Sequence, residues 1–308
     1  MIESRESSLL EATSQQVTIV AGKGGVGKST VSVASALANA RAGRSVILLS
    51  TDISTITARA EREVAARDEY AANSPVFQLL RAEEILIEYL ETHGLASLGK
   101  RLISTGVVSV IATAVPGIRE LLILAKIKQL AQSGDYDRII FDAPASGHLM
   151  TLLSSPTGLK DIAKVGLLKN QSDDVEELLN DRSRSGLTIV TLPEETPVTE
   201  SIETISKIRE LKSIAVNALV VNQRISAPKL SPAGHSAICD SGDTSPSARA
   251  YEYVTARERV ADAEMQRLIH GITDVEILEL PYLFQSDLSI TDLEELKARK
   301  IIRGVNQR

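Results

Sequence analysis

The chain has 308 residues, 43% of them hydrophobic and 24% charged, a balance typical of soluble globular proteins and unlike that of disordered chains. The formal net charge is −6, only 3% of the residues are aromatic and Trp is absent, so an electropositive or base-stacking surface for nucleic acid is poorly supplied. We therefore expect no nucleic-acid partner. The length favours one α/β core with an insertion.

The single cysteine, Cys239, has no partner for an internal disulfide or a zinc-binding pair. We therefore expect a free thiol and no structural zinc. The N-terminal segment is acidic and lacks the apolar core of a secretory signal, and the most apolar stretch, 107–125, is interrupted by Pro116, Arg119 and Glu120. These features predict a cytoplasmic protein without a transmembrane segment.

Short runs rich in β-branched residues predict six buried strands. In chain order they are 17–21, 45–50, 138–143, 187–192, 218–222 and 275–280. Helical segments separate most of them, which predicts an α/β fold with a doubly wound, mainly parallel sheet covered on both faces. Residues that directly follow the strands then form the ligand-binding edge of the sheet.

The interval between the second and third predicted strands is far longer than one crossover helix needs. It has helical periodicity and apolar stripes. We therefore predict a helical insertion subdomain at 56–131 in a core formed by 1–55 and 132–308. A second segment, 226–250, is rich in Ser, Pro, Gly and Ala and predicts a loop.

A glycine-rich motif follows the first predicted strand. The sequence GKGGVGKS at 22–29 fits the pattern G-x-x-x-x-G-K-[ST] of a P-loop. In such a loop, backbone N–H groups and a lysine contact phosphates, and the serine hydroxyl ligates Mg²⁺. The predicted triphosphate site is Gly22, Gly24, Gly25, Val26, Gly27, Lys28, Ser29 and Thr30, with Lys28 also catalytic and Ser29 a metal ligand. A glycine-rich turn with two solvated lysines is the weaker alternative.

Two carboxylates follow the next predicted strands. Asp52 is placed to orient the attacking water or to reach the Mg²⁺ shell, with capping of the next helix as the alternative. Asp142 ends its strand as a Walker B aspartate does and is predicted to hold Mg²⁺ through water. Gly147 and His148 follow in a predicted loop that senses the γ-phosphate, although a histidine bonded to backbone is an equal alternative.

The motif GKGGVGKS resembles the deviant Walker A motif of the family that contains MinD, ParA, nitrogenase iron protein and the ArsA-type anion-transporting ATPases. The run at 115–156 is similar to the PGxxE and D-x-A-P-T-G-H segments of the ArsA-type branch. The resemblance implies that Lys23 is catalytic and crosses to the partner subunit's nucleotide, where it neutralises charge that develops during phosphoryl transfer. Active sites then form only in a dimer.

The segments 218–223 and 280–288 are similar to those that contact adenine in this branch. The resemblance implies that Asn222 hydrogen-bonds adenine and that Pro281 and Leu283 lie near the ring. A turn-stabilising role is the alternative for Asn222. Because the sequence has no Asn-Lys-x-Asp guanine motif, ATP with Mg²⁺ is the predicted ligand.

The chain also departs from the branch. Its first switch reads Thr51-Asp52-Ile53-Ser54 in place of T-D-P-A, and loss of the stiffening proline is expected to alter turnover. One cysteine cannot supply the multidentate thiolate site of an arsenite pump. Three methionines do not form a Met-rich client groove, so the apolar stretch 102–130 is the candidate client surface, with helix packing as an equally good explanation.

These observations predict an ATPase that acts as a homodimer or as a heterodimer with a paralogue. Turnover would drive a conformational switch coupled to a hydrophobic protein client or a membrane partner. Three alternatives stay open: a MinD- or ParA-like positioning ATPase whose mildly basic end at 295–308 touches membranes, a small-molecule kinase, and a poorly hydrolysing regulatory subunit that binds ATP.

Overall fold

A computed structural model describes residues 3–70, 73–92, 117–162, 167–239, 245–285 and 287–302. These residues contain nine strands of one sheet. In chain order the strands are β1 (Glu3–Ser7), β2 (Val17–Gly22), β3 (Val46–Ser50), β4 (Val76–Leu79), β5 (Arg138–Asp142), β6 (Ser185–Thr191), β7 (Val216–Arg224), β8 (Glu276–Pro281) and β9 (Ala298–Ile302).

Helices connect most of these strands. They are α1 (Leu9–Ala12), α2 (Lys28–Arg41), α3 (Thr55–Ala65), α4 (Ala82–Thr92), α5 (Ile118–Ser133), α6 (Ser146–Ile162), α7 (Leu167–Asn180), α8 (Glu195–Leu211), α9 (Pro232–Cys239), α10 (Pro246–Gly271) and α11 (Ile290–Glu294), with a 3₁₀ turn at Asp68–Tyr70. Among the described residues, no helix is both long enough and apolar enough to cross a membrane.

The strand order places the end of β2 at the topological switch point of the sheet, where the direction of strand addition reverses. The order is β1-β9-β8-β7-β6-β2-β5-β3-β4, with parallel pairing from β8 to β4 and antiparallel pairing of β9 with β8 and β1. After β2 the chain builds β3, β4 and β5 on one side, and then β6 to β9 on the other. In open α/β sheets such a point leaves a crevice at the carboxyl ends of the strands, where ligands bind.

Apolar side chains of alternate strand positions pack on the two faces of the sheet. In β2, Ile19 faces the layer that contains residues of α5, α6, α7, α8 and α10, whereas Val20 faces the layer that contains α2 and α3. All six residues of β2 are buried. The β-branched run that predicted this strand is therefore the centre of the core, as a parallel sheet covered on both faces requires.

All six predicted strands are present, but three further strands were missed. The expectation that 56–131 is helical is wrong at β4, which pairs in parallel with β3 and extends the core sheet. Only four residues long, β4 is too short to show a strand period. The division into a core and an insertion subdomain stays a prediction, because 93–116 lie outside the described residues.

Two further expectations agree only partly with the structure. In the described portion of the apolar stretch 102–130, Leu121, Leu122, Leu124 and Ile127 of α5 are buried in the core, so helix packing explains those residues. The segment 226–250 is not a loop throughout, since it contains α9 and the start of α10. The side chain of Cys239 and the end of the basic segment, 303–308, lie outside the described residues.

Candidate nucleotide-binding site

The P-loop at 22–29 connects β2 to the N-terminus of α2 at the topological switch point of the sheet. Gly22 and Gly27 have φ angles of 155° and 90°. A Cβ at Gly22 would lie 2.2 Å from the Val190 carbonyl oxygen, and one at Gly27 would lie 2.3 Å from Asn222 Nδ2. Gly27 caps α2 without a side-chain hydrogen bond, so the N–H groups of the first turn stay available to an anion.

Lys28 folds back over this loop. Its Nζ donates a hydrogen bond of 3.2 Å to the backbone carbonyl oxygen of Lys23. Burial lowers the pKa of the Lys28 amine, and the nearby Asp142 carboxylate partly opposes that effect. The Lys28 amine therefore lies close to the backbone of the P-loop, whose N–H groups bind phosphate in loops of this type.

Asp142 links the P-loop to the neighbouring strand β5. Ser29 Oγ donates a hydrogen bond of 2.6 Å to Asp142 Oδ2, and Ser32 Oγ lies 3.4 Å from Oδ1. The carboxyl group is buried, and this burial raises its pKa, while the Ser29 hydrogen bond, the Lys28 charge and the Ser32 contact lower it. A hydroxyl and a carboxylate are hard oxygen donors, and a buried carboxylate favours a compensating cation, so the pair fits Mg²⁺.

The burial of the Asp142 carboxyl group predicts how the stability of the folded protein depends on pH. Its folded-state pKa is raised, so protonation stabilises the folded protein, and this contribution is lost as the pH rises through the folded pKa. Asp142→Asn cannot ionise, so the nucleotide-free variant should melt at a higher temperature than the wild type near neutral pH. The difference should shrink as the pH falls. Thermal denaturation at a series of pH values measures it.

Asp135→Asn, at an exposed position, is the control and should show no such trend. If the nucleotide-free Asp142→Asn protein melts at a lower temperature than the wild type at neutral pH, the ionised carboxylate does not destabilise the folded protein.

Asp52 is exposed and follows β3, the strand beside β5. Its charge raises the pKa of Asp142, which places the two carboxylates within electrostatic reach. The alternative role of Asp52 as a helix cap is wrong, because Ser54 caps α3 by accepting a hydrogen bond of 3.2 Å from the Thr57 N–H. Ile53, which stands where the related branch has proline, is 66% exposed.

The prediction of a loop at Gly147 and His148 is wrong. Both residues lie in the first turn of α6, and both are exposed. The His148 N–H donates a hydrogen bond of 2.9 Å to the Ala145 carbonyl oxygen, which begins the turn. Glycine at this position does not require a left-handed conformation, since its φ is not positive. A role in sensing the γ-phosphate stays a prediction.

Asn222 fastens the end of β7 to the P-loop. Its buried side chain donates from Nδ2 to the Val26 carbonyl oxygen at 3.0 Å, and its Oδ1 accepts from the Gln223 N–H at 2.9 Å. Gln223 has a φ of 58°, a left-handed conformation in which the chain turns sharply. These are turn-stabilising bonds, as the alternative for Asn222 expects, and contact with adenine stays a prediction.

The other residues predicted near the base lie at the end of β8. Pro281 is exposed and Leu283 is half-buried, and no hydrogen bond in the described residues joins either of them to the P-loop. Pro281 lines a cavity of about 210 Å³ with Tyr282 and Phe284, whose rings meet edge to face with centroids 4.8 Å apart. The sequence prediction did not include this aromatic pair, although two aromatic residues so close together stand out in a chain so poor in them.

No hydrogen bond or ion pair in the described part of the chain joins the Lys23 side chain to another predicted site residue. Lys23 Nζ forms an ion pair of 2.6 Å with Glu200 Oε1 in α8. Sequence reasoning missed Glu200, and also Ser32, the second hydroxyl at Asp142. Ser32 was discoverable, since it lies three residues after Ser29, close to the same face of a helix.

The P-loop lies between a strand and a helix at the topological switch point of a parallel sheet, and its serine is bonded to a carboxylate of the adjacent strand. These features define a P-loop NTPase fold. The chain belongs to the anion-transporting ATPase family, which matches residues 15–172. This range contains the P-loop, Asp52 and Asp142.

The chain is also similar to individual proteins of known sequence. It is 30% identical over 226 residues to "ATPase BagA" of Mycobacterium tuberculosis and to "Putative ATPase Mb3704" of Mycobacterium bovis, which covers 68% of this chain and 65% of each relative. It is 34% identical over 170 residues to "ATPase get3" of Schizosaccharomyces pombe, which covers 53% of this chain and 50% of the relative. The chain thus matches about half to two thirds of the length of these relatives.

Proposed function

We propose that this protein binds Mg·ATP and hydrolyses it to ADP and phosphate. The observation that carries the proposal is the hydrogen bond from Ser29 to the buried Asp142 beside the P-loop. It brings a hydroxyl of α2 and a carboxylate of β5 to the edge where the P-loop N–H groups would hold phosphates. Family membership and the relatives named as ATPases support it.

Each residue of the site has its own role in this reaction. Lys28 exchanges the Lys23 carbonyl for the terminal phosphates and offsets their charge. Asp52, exposed at the same edge, orients the attacking water. Ser29 directly, and Asp142 through water, would hold Mg²⁺, which supplies further charge neutralisation on the phosphates. Asn222 keeps the P-loop against β7 and retains one amide hydrogen for adenine.

We further propose that the active form is a dimer in which Lys23 reaches the nucleotide of the partner subunit. The 39% exposure of the Lys23 side chain supports this role, because a lysine that acts across an interface must begin at the surface. The partner subunit is a second copy or a paralogue. ATP turnover in this dimer would drive binding of a hydrophobic protein client or a membrane-associated partner.

Product analysis tests the hydrolytic proposal directly. Purified protein with Mg·ATP should release ADP and phosphate in equal amounts, and calorimetry should show that ATP binds more tightly than GTP. Tight ATP binding without phosphate release would contradict hydrolysis and favour a regulatory subunit. A phosphorylated small molecule in place of free phosphate would favour a kinase.

A further inference from the structure

The side chain of Lys23 pairs with the carboxylate of Glu200, a residue that has no role in the proposed hydrolysis. Lys23 Nζ lies 2.6 Å from Glu200 Oε1, and the two side chains are 39% and 40% exposed. The contact joins positions 177 residues apart in the chain. It therefore results from the fold and not from local sequence.

Glu200 is carried on a rigid element. Helix α8 follows β6, which pairs with β2 so that Gly22 is opposite Val190, and this pairing brings the beginning of α8 beside the P-loop. One face of α8, which includes Val198 and Ile205, is fully buried. The contact therefore has one fixed end at Glu200 and one end on a glycine-rich loop.

The same turn of α8 is also fastened to α10. Thr199, next to Glu200, accepts a hydrogen bond of 2.9 Å from Arg267 Nη2, and Arg267 Nη1 pairs with Glu264 at 2.6 Å. The Arg267 charge is thus already matched by Glu264. Among the residues that the structure describes, Lys23 is the cation that pairs with Glu200.

We propose that Glu200 is a positioning residue that holds Lys23 in its own subunit until a second subunit docks. The proposal rests on the dimeric ATPase proposed above, in which Lys23 must reach the partner's nucleotide. Each subunit then has to break one ion pair when the dimer forms. Glu200 thereby raises the protein concentration at which active dimers assemble.

The size of the effect follows from the exposure of the pair. An exposed ion pair changes an equilibrium by a factor of about 1.4 to 5, and a symmetric dimer breaks two of them. In Glu200→Gln the protein concentration that gives half-maximal ATPase activity should therefore fall by about two- to 25-fold. The kcat at saturating protein concentration should stay within about twofold, since the reacting groups are unchanged.

Phosphate release is measured over a wide range of protein concentration for the wild type, Glu200→Gln and two further variants. Glu200→Asp keeps the charge on a shorter side chain and should give a curve between the other two. Glu203→Gln removes an exposed carboxylate from the same helix and should reproduce the wild-type curve. An unchanged curve for Glu200→Gln, or a shift to higher concentration, would overturn the proposal.

A second measurement needs no ATP turnover. Mild acylation with an N-hydroxysuccinimide ester, followed by mass spectrometry, reports how available the Lys23 amine is in the nucleotide-free protein. Lys23 should react faster, by about threefold, in Glu200→Gln than in the wild type, relative to the exposed Lys207 of the same chain. Equal rates would mean that Glu200 does not hold Lys23. If no variant releases phosphate, the hydrolytic proposal fails, whereas the acylation rates still test the contact itself.

Discussion

Replacement of Lys28 by alanine should lower kcat/KM for Mg·ATP by about a thousandfold, the loss typical when one preorganised charge or donor is removed from a reacting centre. Lys28 is a half-buried cation of the P-loop, and its only hydrogen bond in the described residues is to the Lys23 carbonyl oxygen. Because burial lowers its pKa, the amine gains from an anionic partner, and bound phosphates supply one. Phosphate release and calorimetric titration of ATP measure the effect.

The matched control for this variant is Lys207→Ala, which removes an exposed lysine from α8 and should leave turnover unchanged. The fold should tolerate both changes, since the single Lys28 hydrogen bond at 3.2 Å stabilises little. Turnover in Lys28→Ala within threefold of the wild type would show that the P-loop lysine does not act on the phosphates.

Replacement of Glu294 by alanine should lower the free energy of unfolding by about 2 kcal/mol, because the buried Tyr70 hydroxyl loses its hydrogen-bond acceptor. The Glu294 side chain is only 2% exposed and pairs with Arg41 Nη2 at 3.1 Å and with Arg67 Nη1 at 3.4 Å. Glu294 also accepts a hydrogen bond from Tyr70 Oη. The pKa of Tyr70 is raised, mainly because the hydroxyl is buried and also because of this hydrogen bond. The network ties α11 to the last residue of α2, the helix that begins at the P-loop.

Urea denaturation of Glu294→Ala and of Glu295→Ala tests this account of the network. Glu295 is the next residue along and is exposed, so its removal should change the free energy of unfolding by less than about 0.5 kcal/mol. Equal losses in the two variants would mean that the side-chain contacts of Glu294 contribute no more to stability than the end of α11 itself.

The parts of the fold that the sequence predicted are those with a local signal. The run VTIVA predicted β2 because a strand buried on both faces must be apolar at every position. The P-loop was identifiable because its glycines and Lys28 occur at fixed spacing between a strand and a helix. Asp142 followed from its place at the end of such a strand.

The parts that were missed depend on contacts between distant residues. Strand β4 is a short edge strand with one exposed and three half-buried residues, and it is recognisable only by its pairing with β3. The sequence predicts a loop at the first turn of α6 because glycine has a low helix propensity, whereas the structure begins the helix before Gly147 and packs Leu149 in the core. Glu200 is 177 positions from Lys23 and only the fold brings them together.

The proposed action of Lys23 on the nucleotide of the other subunit has a direct test in mixed dimers. Lys23→Ala and Lys28→Ala are each expected to be inactive alone. When they are mixed in equal amounts, half of the dimers contain one subunit of each kind, and one of the two sites in those dimers has both an intact Lys28 and a Lys23 from across the interface. The mixture should therefore recover about a quarter of the wild-type rate of phosphate release. A mixture that stays as inactive as its components would contradict the claim.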